Sequence, residues 1–154
     1  MTTGRHGKPW WLLALPVSYL AHLAEEWWGG EGFASWTERA LRTPVSETRF
    51  IVVNSVAAPL FVLGTVLAIV SRSWGWFAVT FGTVVLINGS LHVLGSIATA
   101  SYSPGVITGL ALYLPLGLVV LRRGRTQLSA ATFGVAAALG VAIHGFVAIV
   151  AFWK

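Results

Sequence analysis

The chain has 154 residues, of which 56% are hydrophobic and only 10% charged, with a mean hydropathy of +0.77. So apolar a composition excludes an ordinary soluble domain; at about 20 residues per hydrocarbon crossing it leaves room for roughly five spans in one membrane domain. The absence of cysteine removes disulfides, thiolate ligands and cysteine nucleophiles, and the net charge of +5 does not mark a nucleic-acid binder, because the Lys and Arg residues stand between apolar runs, where they set topology and meet anionic headgroups.

Residues 1–9 are polar and basic through Arg5 and Lys8, and His6 in this tail is assigned no role. A first span covers 10–28, with Trp pairs at both ends as interfacial belts and Pro16 as a kink point; without a small-x-small site at its end it reads as retained rather than cleaved. After Gly29 and Gly30, residues 33–42 set Phe33, Trp36, Ala40 and Leu41 against Glu38, Arg39 and Arg42, the pattern of a short helix on the membrane surface. The second span, 49–70, carries Asn54 and Pro59, and Arg72 and Trp74 mark the opposite interface. The third, 75–98, contains Asn88 and His92 one turn apart on one face.

A short uncharged link through Tyr102, Pro104 and Gly105 leads to the fourth span, 104–121, which has no ionisable group. Arg122, Arg123 and Arg125 form the most basic loop. The fifth span, 128–152, has His144 as its only ionisable residue and three glycines, at 134, 140 and 145, that admit close helix approach. The expected fold is an all-α integral membrane bundle of about five transmembrane helices plus one interfacial helix, a single domain over 1–154. Arg5, Lys8, Arg72, Arg122, Arg123 and Arg125 fall on one side, against Arg39, Arg42, Arg49 and Lys154 on the other, which places the N-terminus in the cytoplasm of a multi-pass plasma-membrane protein.

Charge within this apolar sequence concentrates at His22, Glu25 and Glu26, which on a helix lie within an arc of about 100°. Two carboxylates so close to hydrocarbon call for a cation, a shared proton or strong hydrogen-bond donors. Spans 1, 3 and 5 run the same way, so depth can be counted from their common face: Glu25 and Glu26 lie about 15 residues along, His92 about 17 and His144 about 16, one level at about 1.5 Å per residue. Asn54 reaches that layer from the other face, and Asn88 lies one turn from His92. Imidazole nitrogen with carboxylate oxygen suits zinc, iron or manganese, with Asn54, Asn88 and the hydroxyls of Ser18, Tyr19 and Tyr102 as outer hydrogen-bond partners. The blander reading of Glu25 and Glu26 is that they snorkel to the interface, and of His144 that it is a packed core residue.

The string His22-x-x-Glu25-Glu26, followed by Asn88-x-x-x-His92, a Tyr102-x-Pro104-Gly105 turn and His144, resembles the bacterial membrane-protein family named for its HXXEE motif, over nearly the whole chain. That resemblance implies a small multi-span protein and supplies no reaction. A looser similarity is to the intramembrane CAAX-processing proteases, which also combine a Glu-Glu pair with histidines and an asparagine; their pair is followed by arginine, whereas Trp27 follows here.

The leading expectation is a metal-dependent membrane enzyme, a hydrolase or oxygen-activating oxidoreductase, acting on a lipidic or membrane-partitioned substrate. His22, one of Glu25 and Glu26, His92 and His144 would hold a divalent metal, and the remaining Glu would be general base. Two other classes use the same residues: a proton- or cation-coupled transport site in which Glu25 and Glu26 share a proton, and a non-catalytic membrane partner whose polar layer fixes helix packing.

Overall fold

A computed structural model describes residues 8–153, so Arg5, His6 and Lys154 lie outside the described residues. Every regular element among the described residues is helical. A 3₁₀ turn, Trp10–Leu13, runs into α1, Ala14–Trp28. Pro16 stands in the first turn of α1, where its missing N–H deletes little of the helical ladder. Helix α2, Phe33–Leu41, follows a turn in which Gly30 and Gly32 take positive φ. The Arg39 guanidinium bonds Glu31 at 2.8 and 2.5 Å, pinning α2 to that turn and holding the Glu31 carboxyl below its usual range.

Helix α3, Glu47–Val70, begins at a Ser46 cap, and α4, Gly75–Thr99, follows a 3₁₀ turn at Arg72–Trp74. Helix α5, Val106–Gln127, contains a π turn at Gly109–Tyr113. Pro115 explains it: the ring has no N–H for the carbonyl of Ala111 and would collide with it in a regular helix, so the preceding turn widens. Helix α6, Ala130–Phe152, starts at the Ser129 cap.

The helices fall close to the expected segments, with one correction. The expected loop at Arg122, Arg123 and Arg125 is helical, forming the last turns of α5, and only Leu128 and Ser129 connect it to α6. Arginine is compatible with a helix C-terminus, where its charge opposes the partial negative end of the dipole and its long stem reaches the interface. Arg123 lies over the Trp11 ring at 4.6 Å and Arg125 over Phe133 at 5.9 Å. Among the described residues, four helices, Glu47–Val70, Arg72–Thr99, Val106–Gln127 and Ala130–Phe152, are long and apolar enough to cross a membrane.

Helix α4 is the hub. Half of its apolar window is buried, the largest share among the four, and it packs against α3, α5 and α6. Small residues make this possible: a Cβ on Gly82 would stand 2.5 Å from Val120 of α5, and one on Gly140 would stand 2.6 Å from the Thr80 carbonyl. Thr80 Oγ1 also donates to the Ala136 carbonyl at 3.0 Å, tying α4 to α6. Leu15, Phe61, Phe81, Val85, Tyr113 and Val120 form the core between α1, α3, α4 and α5.

Gly82→Leu is therefore expected to lower the melting temperature of detergent-solubilised protein, with an overpacking cost of about 1–3 kcal/mol. Gly134→Leu, at a position with nothing within 4 Å, leaves it unchanged. Thermal scans of the two variants check the packing direction.

Candidate metal centre

His22 and Glu26, one turn apart on α1, face α4, which presents His92. All three side chains are buried, and one ligand atom from each lies within 4.8 Å of the others. Glu26 Oε1 is 3.1 Å from His92 Nε2 and 3.6 Å from His22 Nε2. Among the described residues, His22 Nε2 has no hydrogen-bond partner. Leaving a carboxylate uncompensated in such a place costs several kcal/mol, more than the roughly 1.5–3 kcal/mol that one charged hydrogen bond returns. Positive charge between Glu26 and the imidazoles, as a proton or a metal cation, closes that gap.

The link after α4 and the first turn of α5 enclose this group. His92 Nδ1 lies 3.2 Å from Ser103 Oγ, and His22 Nδ1 lies 2.7 Å from Thr108 Oγ1. Thr108 Oγ1 donates to Glu25 Oε2 at 2.5 Å, a far better acceptor than the Gly105 carbonyl at 3.4 Å. Its single proton thus committed, the Thr108 oxygen accepts from His22 Nδ1–H, and the ring turns Nε2 toward Glu26 and His92. Gly105, at φ +102°, backs both rings: a Cβ there would stand 2.7 Å from His92 and 2.8 Å from His22, so conformation and space both require glycine. Tyr113 stacks on His22 at 4.2 Å and Phe33 lies 5.1 Å from His92.

Glu25 takes a different position from Glu26. Neighbouring residues on a helix point about 100° apart, and Glu25 faces the N-terminus of α5. It accepts from the backbone N–H groups of Ile107 at 3.0 Å and Thr108 at 2.7 Å, from Thr108 Oγ1, and from Tyr102 Oη at 2.8 Å. The two N–H groups are orphan donors of a helix start, where the dipole also favours an anion. Burial first, and then the bond to Glu25, push the Tyr102 phenol up to about 12, so it stays a donor.

The other expected residues separate. His144, half-buried on α6, lines the same cavity as His22, Glu26 and His92 but is not in the three-residue group. Helix α6 packs mainly on α4 and then on α3, away from α1. Asn54 accepts from Tyr19 Oη at 2.5 Å and joins α3 to α1, while the Asn88 Oδ1 is buried without a partner among the described residues. Ser103, Thr108 and Tyr113 were not expected at the site. The only sequence signal for the first two was their place beside the Tyr102-x-Pro104-Gly105 turn, since lone hydroxyl residues carry no spacing signature.

Glu25→Gln is expected to destabilise the fold by about 1–3 kcal/mol, because the amide offers one acceptor oxygen to several donors. Thr108→Val removes the hydroxyl between Glu25 and His22 and should act on the same interaction, so the double variant is less destabilised than the sum of the singles. Thermal unfolding of the cycle in detergent measures that coupling.

A family described as "Protein of unknown function with HXXEE motif" matches residues 12–120, a stretch that includes His22, Glu25, Glu26, His92, Gly105 and Thr108 and ends before His144. Neither the curated proteins nor the solved structures contain a match. With the motif residues inside the matched stretch and that stretch covering most of the chain, the protein belongs to the HXXEE-motif family.

Proposed function

We propose that this protein is a membrane-embedded metal-binding protein that works as a metal-dependent enzyme, with His22, Glu26 and His92 holding one divalent cation of the zinc, iron or manganese kind. The observation that carries this reading is the buried His22 Nε2, without a hydrogen-bond partner and 3.6 Å from Glu26 Oε1, while Nδ1 of the same ring is bonded to Thr108. Two neutral imidazoles and a carboxylate form a donor set common to hydrolytic zinc sites and oxygen-activating iron sites. When bound, such a cation supplies Lewis-acid activation of water for hydrolysis or, as iron, a redox centre for oxygen chemistry.

The chain's own residues have separate tasks in this scheme. Glu25 and Thr108 orient the His22 ring, Ser103 orients His92, and Gly105 with Tyr113 and Phe33 keeps bulk water from the ligands. His144, on the wall of the adjoining cavity, is free of the triad and takes the role of proton-transfer group, since the Glu25 oxygens are already committed to donors. The substrate is lipidic or membrane-partitioned, because the cavity lies among helices apolar enough to be surrounded by lipid.

A second reading has support in the 3.1 Å contact of Glu26 with His92, which a shared proton satisfies without metal; the triad would then serve proton- or cation-coupled transport. Five crossings fit either reading. Helix α1 and its leading turn together extend about 30 Å at 1.5 and 2.0 Å per residue, the thickness of the hydrocarbon core. Helix α2 then lies at the surface of a bacterial plasma membrane, and the N-terminus is cytoplasmic, on the side of Arg72 and Arg123.

Elemental analysis after purification in mild detergent is expected to find about one divalent transition metal per chain. His92→Ala and Glu26→Gln should lower occupancy at least ten-fold, while His144→Ala keeps it and loses turnover. Wild-type protein that remains folded, binds no added zinc, iron or manganese, and responds only to pH would replace the metal reading with the proton reading. Reporters fused to the two ends should lie on opposite sides of the membrane; reporters on the same side would remove α1 from the spans.

A further inference from the structure

Beside the triad lies a cavity of about 450 Å³, within the range of about 300–1,000 Å³ typical of small-ligand sites. It is lined from Arg49 and Phe152 near the membrane-surface ends of α3 and α6 to Phe61 and Phe81, which stack at 4.0 Å deep in the bundle. His92 stands between these levels, and from it to Phe81 helix α4 extends about 16 Å at 1.5 Å per residue. With C–C bonds of about 1.5 Å, that is the length of roughly a dozen extended methylenes. That length suits one chain of medium length, and the cavity stands in the lower half of the size range for small-ligand sites. The walls below His92 are mostly apolar, including Ala57 and Val84, with Asn88 and Tyr19 as polar exceptions, whereas the surface end carries Arg49, the only Lys or Arg side chain among the lining residues.

We infer that this cavity binds one single-chain amphiphile with an anionic head, its head near Arg49, its head–tail junction beside His22, Glu26 and His92, and its tail running down to Phe61 and Phe81. The inference deepens the proposed function by naming the substrate class, and it rests on reading the triad as the reaction centre. The half-buried Arg49 guanidinium donates to the Trp153 carbonyl and keeps further N–H donors for an anionic head, which an uncharged long-chain molecule would not use.

The test is saturable binding of dansyl-undecanoic acid to the full chain in nanodiscs, with sodium dodecanoate, dodecanol and a two-chain phospholipid as competitors and metal content measured on the same samples. Dodecanoate should displace the probe, the phospholipid should not, and Arg49→Ala should weaken dodecanoate at least five-fold while leaving dodecanol unchanged. Ala57→Trp and Val84→Trp fill the deep half of the slot; they should weaken the probe at least ten-fold, keep metal occupancy, and shift preference toward hexanoate, a gain that a misfolded protein would not display. Probe binding that is absent in metal-bearing wild type, unaffected by both Trp variants, or displaced equally well by phospholipid overturns the inference while leaving the metal centre standing. Binding with this pattern in a protein that takes no metal supports the chain site and overturns the metal reading alone.

Discussion

The Glu26 carboxylate is the constraint on which the site depends. It is 8% exposed, inside a bundle whose surroundings are hydrocarbon or apolar side chains, and it must be met by positive charge or by donors. The response comes from two helices: His22 from one turn earlier on α1 and His92 from α4. The outer nitrogens of these rings are then held by Thr108 and Ser103, so the need at one carboxylate extends to the link and the start of α5. Gly105 permits this closure, since a single methyl at that point would occupy the space of both imidazoles.

The paired carboxylates divide between two kinds of compensation. Glu26 meets side chains that can exchange a proton for a metal, whereas Glu25 meets fixed donors at a helix N-terminus. Joined through Thr108 and His22, they make a chain from the α5 dipole to the triad. A hydroxyl committed to Glu25 accepts from His22 Nδ1 and leaves Nε2 inward, so the orientation of the His22 ring follows from the helix cap. Glu25 thereby orients His22 while standing outside the His22–Glu26–His92 group.

Helix α4 provides the frame for both features. Its glycines and threonines bring α5 and α6 against its backbone, and its other face carries His92 toward α1. Because α6 is held to α4 and α3 and stays away from α1, space remains between α3, α4 and α6 beside the triad. The cavity and the separation of His144 from the triad thus have one cause, the side of α4 on which α6 packs.

The sequence by itself determined the helices and the level of the polar layer. Apolar runs of membrane-spanning length place α3 to α6 within a few residues, and His22, Glu26 and His92 were legible as one cluster because depth along parallel helices follows from counting residues at a constant rise. Which way each residue faces around its helix was not legible. Helix azimuth is set by close packing at Gly82, Gly89 and Gly140, a contact between elements distant in the chain. Tertiary structure alone therefore decided that Glu25 turns to the start of α5 while Glu26 turns to α4, and that Thr108 and Ser103 hold the rings. It also left His144 on the cavity wall, because equal depth brings residues to one layer and only the rotation and order of helices bring them to one point.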